Sequence, residues 1–216
     1  MSELAPGITR IPARSEEICD GVVHAIGVLF ALVVSPLLLW HVSGLAARIS
    51  LTVYCCGLMA MLGFSAAYNM TPRDHPLKKI LRRIDHAAIF IMIAATYTPL
   101  AVNLLAPPWG AVILIAIWSS AILGMTIKLA FPHRYEKTGI ALYLLMGWMV
   151  VAVIVPLYHA MVPLNFWLLM AGSAVYSLGV LFFVFYRLPF NRAIWHGLVL
   201  LAAVLQFASL WGEFAR

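Results

Sequence analysis

The sequence contains few charged residues. Only 10% of its 216 residues are Asp, Glu, Lys or Arg, whereas 64% are hydrophobic and the mean hydropathy is +0.98. Soluble domains carry about 25% charged residues, so this chain lacks the polar surface that a water-facing globule needs. The composition excludes a soluble protein and predicts an integral membrane protein.

Cysteine is also scarce, and no removable signal peptide is expected. The three cysteines, Cys19, Cys55 and Cys56, are odd in number and show no C-x-x-C spacing, which excludes a disulfide framework and a zinc ribbon. Residues 1–15 are polar and lack a short apolar core, so we expect the first spanning helix to direct insertion. The net charge of +6 comes from basic residues in loops, where membrane orientation explains them, and no nucleic-acid partner is predicted.

What the chain does contain is long apolar runs. A bilayer core of about 30 Å requires about 20 apolar residues per helix. Seven segments reach that length: 20–41, 50–71, 86–106, 109–130, 138–157, 163–186 and 193–213. Because the runs are continuous instead of alternating, they exclude a β-barrel and predict an all-α polytopic membrane protein. We expect a cytoplasmic tail at 1–19 and a single domain of seven transmembrane helices at 20–216.

The distribution of Lys and Arg indicates how the bundle is oriented. Twelve of the 14 Lys and Arg residues lie in the N-terminal tail and in the loops on its side, whereas Arg48 and Arg216 lie on the opposite side. The positive-inside rule then predicts a cytoplasmic N-terminus and, after seven crossings, a C-terminus outside the cell membrane.

Four polar pairs interrupt the apolar segments near the predicted cytoplasmic side. They are Asp20 with His24, Ser65 with Asn69, Asp85 with His86, and Arg192 with His196. Three of the pairs are spaced i, i+4, which places both side chains on one helical face. Ionisable residues at membrane depth are costly and usually mark a functional site. We therefore predict a shared ligand pocket, lined by His24, Ser65, Asn69, Asp85, His86, Arg192 and His196.

Several of these residues have an alternative, structural explanation. Asp20 and Asp85 stand where predicted helices begin and are also suited to N-caps. Arg192 is able to reach the headgroups and report orientation alone, and Asn69 is placed to cap the end of its helix. A capping role is harder to assign to histidines one turn inside a segment, which favours a site role for His24 and His196.

Three motifs resemble the hemolysin III family, the bacterial branch of the progestin and adipoQ receptor superfamily. They are EEI at 16–18 followed by HAIG at 24–27, RIDHAAIF at 83–90 running on to ATYTP at 95–99, and AIWHGLVL at 193–200. The resemblance covers nearly the whole chain and implies the same arrangement of seven helices with the N-terminus inside.

The resemblance also implies a metal site, which this chain departs from. Family members resemble metal-dependent lipid-amide hydrolases, with zinc held by one histidine at the end of the second helix and two at the start of the seventh. The serine and aspartate that complete that site match Ser65 and Asp85. The helix-two histidine is replaced by Asn69 and the first helix-seven histidine by Arg192, so His196 is the only retained ligand.

These replacements argue against bound zinc. A catalytic zinc site needs three protein ligands, whereas Asn69 is a poor ligand and Arg192 brings a permanent positive charge. Substitute ligands would come from His24, His86, His196 and Asp85, but their spacing does not favour them. We expect the Arg192 guanidinium to replace the lost metal charge by pairing with Asp85.

We predict that the protein binds a lipid or lipid-like ligand in membrane homeostasis or signalling, and that an amphiphile-sized cavity opens between helices near the inner leaflet. The first alternative is a hydrolase of lipid amides or esters, with Ser65, Asp85 and His196 as catalytic candidates. The second alternative is a pore-forming cytolysin. Oligomeric state and the retention of enzymatic activity are left open.

Overall fold

In the part of the chain that the structure describes, seven helical segments are long and apolar enough to cross a membrane, and the fifth of them, Lys137–Ala160, is made of three shorter helices. A computed structural model describes residues 14–131, 136–184 and 188–215. In chain order the helices are α1 (Arg14–His41), α2 (Leu45–Met70), α3 (Lys78–Asn103), α4 (Trp109–Ala130), α5 (Glu136–Gly147), a 3₁₀ helix (Met149–Val153), α6 (Ile154–Ala160), α7 (Pro163–Val184) and α8 (Asn191–Phe214). The predicted all-α, seven-span class is confirmed. Residues 1–13 of the predicted tail, and with them Arg10, lie outside the described residues, as do Arg134, Arg187 and Arg216.

The fifth span is broken, which corrects the continuous helix predicted for 138–157. Residues Met149–Val153 form a 3₁₀ turn between α5 and α6. The hydroxyl of Tyr97 in α3 lies 3.0 Å from the carbonyl oxygens of Met146 and Gly147 and accepts a hydrogen bond of 2.7 Å from the Val150 N–H. Irregular backbone is tolerated at membrane depth only where protein satisfies its polar groups. The Tyr97 hydroxyl therefore supplies a hydrogen-bond partner for the backbone groups that the break leaves unpaired.

The spans pack as a closed ring, of which α3 is one member. Neighbouring helices contact each other in chain order from α1 through α5, and α7 packs along α8, which returns to α1. α3 contacts α2, α4 and α5. Of the 18 residues in its most apolar stretch, 67% are buried, a larger share than in any other span described. The return of α8 to α1 brings the first and last spans side by side. This closure places residues near the start of α8 next to residues near the start of α1.

α1 has its polar residues inside and its apolar residues outside. The buried face carries Glu16, Asp20 and His24 and continues through small residues, whereas Val22 and Ile26 on the opposite face are more than half exposed. In lipid an exposed apolar face costs little, and polar side chains must turn toward the bundle interior. The composition of α1 therefore orients Asp20 and His24 inward.

Five helices (α1, α2, α3, α5 and α8) begin earlier than the apolar runs predict, and the difference is largest in α3 and α1. α1 begins at Arg14 instead of residue 20, and α3 begins at Lys78 instead of residue 86. Asp20 and Asp85 are consequently inside their helices, and the N-cap alternative is wrong for both. Lys, Arg, Leu and Glu are good helix formers, so the helical backbone continues past the apolar boundary into polar sequence.

Candidate functional site

Asp20 is the centre of a buried polar cluster at the end of the bundle where α1 begins. Its Oδ1 accepts a hydrogen bond of 2.6 Å from His196 Nδ1 in α8. The same oxygen lies 3.7 Å from His24 Nε2, one turn further along α1. Only 6% of Asp20 and 5% of His24 is exposed, so both side chains are withdrawn from lipid and water. The centroids of the His24 and His196 rings lie 4.4 Å apart, and the ring planes are tilted by 54° to each other.

Arg192 joins this cluster to α2. Its guanidinium lies 3.7 Å from Asp20 Oδ2 and donates a hydrogen bond to Asn69 Oδ1. Asn69 in turn donates from Nδ2 to the Ser65 carbonyl oxygen at 2.9 Å, one turn earlier in α2. Asn69 thus bonds within its helix and holds the arginine, and the helix ends beyond it with Thr71 as the capping residue.

The expected Arg192–Asp85 pair is wrong, because the arginine pairs with Asp20. Among the described residues no Arg192–Asp85 ion pair occurs. The reason lies in the helix starts: α1 extends to Arg14, which carries Asp20 into the bundle and within reach of α8. The positive charge therefore compensates the carboxylate of α1.

Asp85 and His86 border the cluster from α3. Asp85 is close enough to Ser65 and His196 for its carboxylate to interact electrostatically with both. His86 is turned back toward its own helix, with Nδ1 2.6 Å from the Arg82 carbonyl oxygen and 4.0 Å from Asp85 Oδ2. The polar residues predicted from four helices thus lie at one end of the bundle, with His86 at the margin.

Asp20 is absent from the pocket that the sequence predicts. The i, i+4 spacing to His24 carried the signal, but the apparent helix start at residue 20 made a capping role an equal explanation. The structure places the Asp20 carboxylate between the two histidines and the arginine. We define the polar cluster as these contacting residues, which are Asp20, His24, Asn69, Arg192 and His196.

The three positions that the family resemblance implies as zinc ligands do not fit a metal ion. At two of them the side chains bind each other, because Arg192 donates to Asn69 Oδ1. A guanidinium is a permanent cation without an acceptor, so it cannot ligate a metal. His196 is the one metal-binding side chain among these positions.

A different set of three side chains has the chemistry of a metal site. One ligand atom each from Asp20, His24 and His196 lies within 4.8 Å of the other two. Imidazole nitrogen and carboxylate oxygen are common zinc ligands, and catalytic sites often combine two histidines with one carboxylate. His24 Nε2 is buried there and finds no hydrogen-bond partner within the described part of the chain.

A groove of about 730 Å³ lies between α1 and α2 next to the polar cluster. His24 lines it together with the small side chains Ala25, Ala66 and Ala67, and Met70 contributes an apolar wall. The groove opens outward between the two helices. The feature is an open groove on the outer surface of the bundle and not an enclosed cavity, and its lining is mostly apolar.

Comparison with known proteins agrees with this architecture. A sequence model of the family described as haemolysin-III related matches residues 13–207. Hemolysin-3 of Bacillus cereus is 37% identical over 196 residues, which are 89% of this chain and 89% of that protein. A hemolysin-3 homolog of Bacillus subtilis (strain 168) is 32% identical over 196 residues, covering 89% of this chain and 91% of the relative.

A more distant similarity extends to mammals. The human monocyte to macrophage differentiation factor is 26% identical over 225 residues, with 100% of this chain and 92% of that protein covered. No solved structure matches the chain. Since the family match spans residues 13–207 and seven helices are suited to crossing a membrane, the chain belongs to the hemolysin III family, within the progestin and adipoQ receptor superfamily, and is a multi-pass membrane protein.

Proposed function

We propose that this protein binds a lipid or lipid-like amphiphile at the polar cluster, in membrane homeostasis or signalling. The observation that carries the proposal is the groove of about 730 Å³, which joins an apolar surface between α1 and α2 to the buried edge of His24. Ligand sites are typically mostly apolar concavities of roughly 300–1,000 Å³ with a few polar groups that fix orientation. The groove has this size and composition.

The groove and the cluster suit the two parts of an amphiphile. Ala66 and Ala67 leave space for an acyl chain along α2, and Met70 adds an adaptable apolar wall. His24 is the member of the polar cluster that lines the groove, and it is in contact with Asp20 and His196 behind it. Arg192 is 43% exposed at its side chain, so its guanidinium is able to reach a headgroup while it contacts Asp20.

The proposal places this site at the cytoplasmic leaflet. The start of α1 and the start of α8 lie at the same end of the bundle as the polar cluster. The excess of Lys and Arg on that side supports a cytoplasmic position under the positive-inside rule. An amphiphile would then enter sideways from the inner leaflet.

Filling the groove is expected to displace lipid. Ala67 is an exposed groove residue, so Ala67→Trp adds an indole to the groove without entering the core. We expect about a tenfold loss of affinity for bound lipid, which corresponds to about 1.4 kcal/mol. Native mass spectrometry of protein equilibrated with phosphatidylglycerol and phosphatidylethanolamine measures the bound fraction.

The matched control for this experiment is Ala46→Trp. Ala46 is an exposed alanine of the same helix that does not line the groove. The Ala46→Trp substitution should leave lipid occupancy at the level of the unmodified protein. Equal lipid occupancy in the two tryptophan variants, or an unmodified protein that retains no lipid, contradicts the proposed binding site.

Hydrolysis of a lipid amide or ester is the second candidate, supported by one contact. Asp20 Oδ1 receives the Nδ1–H of His196 at 2.6 Å. A carboxylate in that position fixes the imidazole so that the opposite nitrogen is available as a general base. Fatty acid release by the purified protein, lost by at least about 100-fold in His196→Ala, is the expected result for an enzyme. Absence of release from both substrate classes eliminates this candidate.

A further inference from the structure

Three side chains from two helices meet in the polar cluster, and the hydrogen bonds among the described residues do not satisfy all of their polar atoms. Asp20 and His24 come from α1, and His196 comes from α8. Their potential ligand atoms lie within 4.8 Å of one another. We propose that Asp20, His24 and His196 form a binding site for one divalent transition metal ion, with zinc as the ion that this ligand set suits best.

The buried nitrogen of His24 is the strongest indication of a missing partner. Among the residues that the structure describes, His24 Nε2 has no hydrogen-bond partner, although only 5% of the His24 side chain is exposed. Burial of a polar group without a hydrogen-bond partner is unfavourable. This nitrogen points toward Asp20 Oδ1 at 3.7 Å, too far for a hydrogen bond. A shared cation between them satisfies both atoms.

The separations are compatible with a metal after small movements. Ligand atoms about 2.0–2.2 Å from one tetrahedral zinc lie roughly 3.3 Å from each other. The Asp20–His24 distance of 3.7 Å has to contract slightly, and the Asp20–His196 distance of 2.6 Å has to lengthen. Side-chain rotations produce such changes without moving a helix.

The two carboxylate oxygens of Asp20 have different neighbours. The guanidinium lies 3.7 Å from Oδ2, whereas Oδ1 faces both imidazoles. The carboxylate is therefore arranged to bind a metal through Oδ1 alone. Three protein ligands leave a fourth position open to water or to an oxygen atom of a bound lipid.

This site differs from the one that the family resemblance implies. Two of its three ligands come from α1, and only His196 is shared with the implied set, whose other positions hold Asn69 and Arg192. Metal binding goes beyond the proposed lipid binding, because either property is able to exist without the other. The two are measured separately in the experiment below.

The test is metal analysis of the full-length protein. The chain is purified in detergent without chelators and without a histidine tag, titrated with zinc alone, and analysed by inductively coupled plasma mass spectrometry. We expect about one zinc per chain, and X-ray absorption should show two imidazole ligands at about 2.0–2.1 Å. His24→Ala should weaken zinc affinity by about 100-fold or more, since changes even beyond the ligands cost 10–100-fold.

His41→Ala is the matched control on the same helix. His41 is exposed at the far end of α1 and contacts the Leu37 carbonyl oxygen, so its loss should not alter zinc content.

A folded protein without zinc overturns the inference, and so does zinc affinity that is unchanged in His24→Ala. If that variant does not fold, X-ray absorption of the unmodified protein decides: a spectrum without two imidazole ligands overturns the site. Metal-free protein that retains lipid overturns the metal site alone, whereas metal-bound protein without lipid overturns the proposed function alone.

Discussion

Replacing Asp20 with alanine is expected to lower the free energy of unfolding by about 3 kcal/mol. Asp20 accepts from His196 at 2.6 Å and compensates Arg192 at 3.7 Å, with only 6% of the residue exposed. Removing one partner of a buried ion pair costs about 3–5 kcal/mol because the remaining charge is left uncompensated. The lower end applies, since the Arg192 side chain is 43% exposed and water solvates part of it. Denaturant unfolding in detergent measures the change.

A second ion pair near the start of α1 provides the control. Glu17 lies 3.3 Å from Arg73, but both side chains are more than half exposed. Exposed pairs contribute about 0–1 kcal/mol, so Glu17→Ala should be nearly neutral. Asp20→Asn, which keeps an acceptor for His196 but removes the charge, should fall between the two. An Asp20→Ala variant as stable as Glu17→Ala would show that the buried carboxylate compensates no charge in the cluster.

The second large effect is expected from restoring the histidines that the family resemblance implies. Arg192 donates to Asn69 Oδ1, so positions 69 and 192 face each other, with His196 one turn beyond in α8. The double substitution Asn69→His with Arg192→His removes the permanent cation and provides three imidazoles. Three such ligands form a complete protein set for catalytic zinc. We expect zinc to stabilise this variant by about 4 kcal/mol at a concentration 1,000 times its dissociation constant.

Two controls identify the source of that stabilisation. Asn69→His alone keeps arginine at position 192, and a guanidinium has no lone pair to offer a metal, so the rebuilt site lacks one of its three ligands. Zinc should stabilise this variant no more than it stabilises the unmodified protein. His24→Ala, added to the double variant, should leave the rebuilt site intact because His24 is not one of its ligands. Calorimetric unfolding with and without zinc measures the stabilisation by zinc in each of these control variants. Zinc-independent unfolding of the double variant would mean that these positions do not converge as a metal site.

The segments that cross the membrane were predictable because lipid imposes a simple rule. Each span requires an apolar run of sufficient length, and all seven runs became helices or, in the fifth, a broken helix. The break at Met149–Val153 was not predictable from apolarity. It depends on Tyr97 of α3, whose hydroxyl contacts the backbone at Met146 and Val150.

The helix starts show why the role of Asp20 was harder to predict. Apolarity marks where a helix enters lipid, but hydrogen bonding and propensity decide where its backbone begins. α1 and α3 both begin in polar sequence, at Arg14 and Lys78. An aspartate at the apparent edge of the first span is therefore an interior residue, and a capping role does not apply to it.

By itself, the sequence determined the membrane class, the number of spans and the end of the bundle that carries the polar residues, because burial in lipid selects apolar runs and makes interior charges rare. Tertiary structure alone decided which charges meet. The closure of α8 against α1 brings Arg192 and His196 to Asp20, residues far apart in the chain. Coulombic attraction and hydrogen bonding act over a few ångströms in space, and spacing along one helix does not determine which other helix lies beside it.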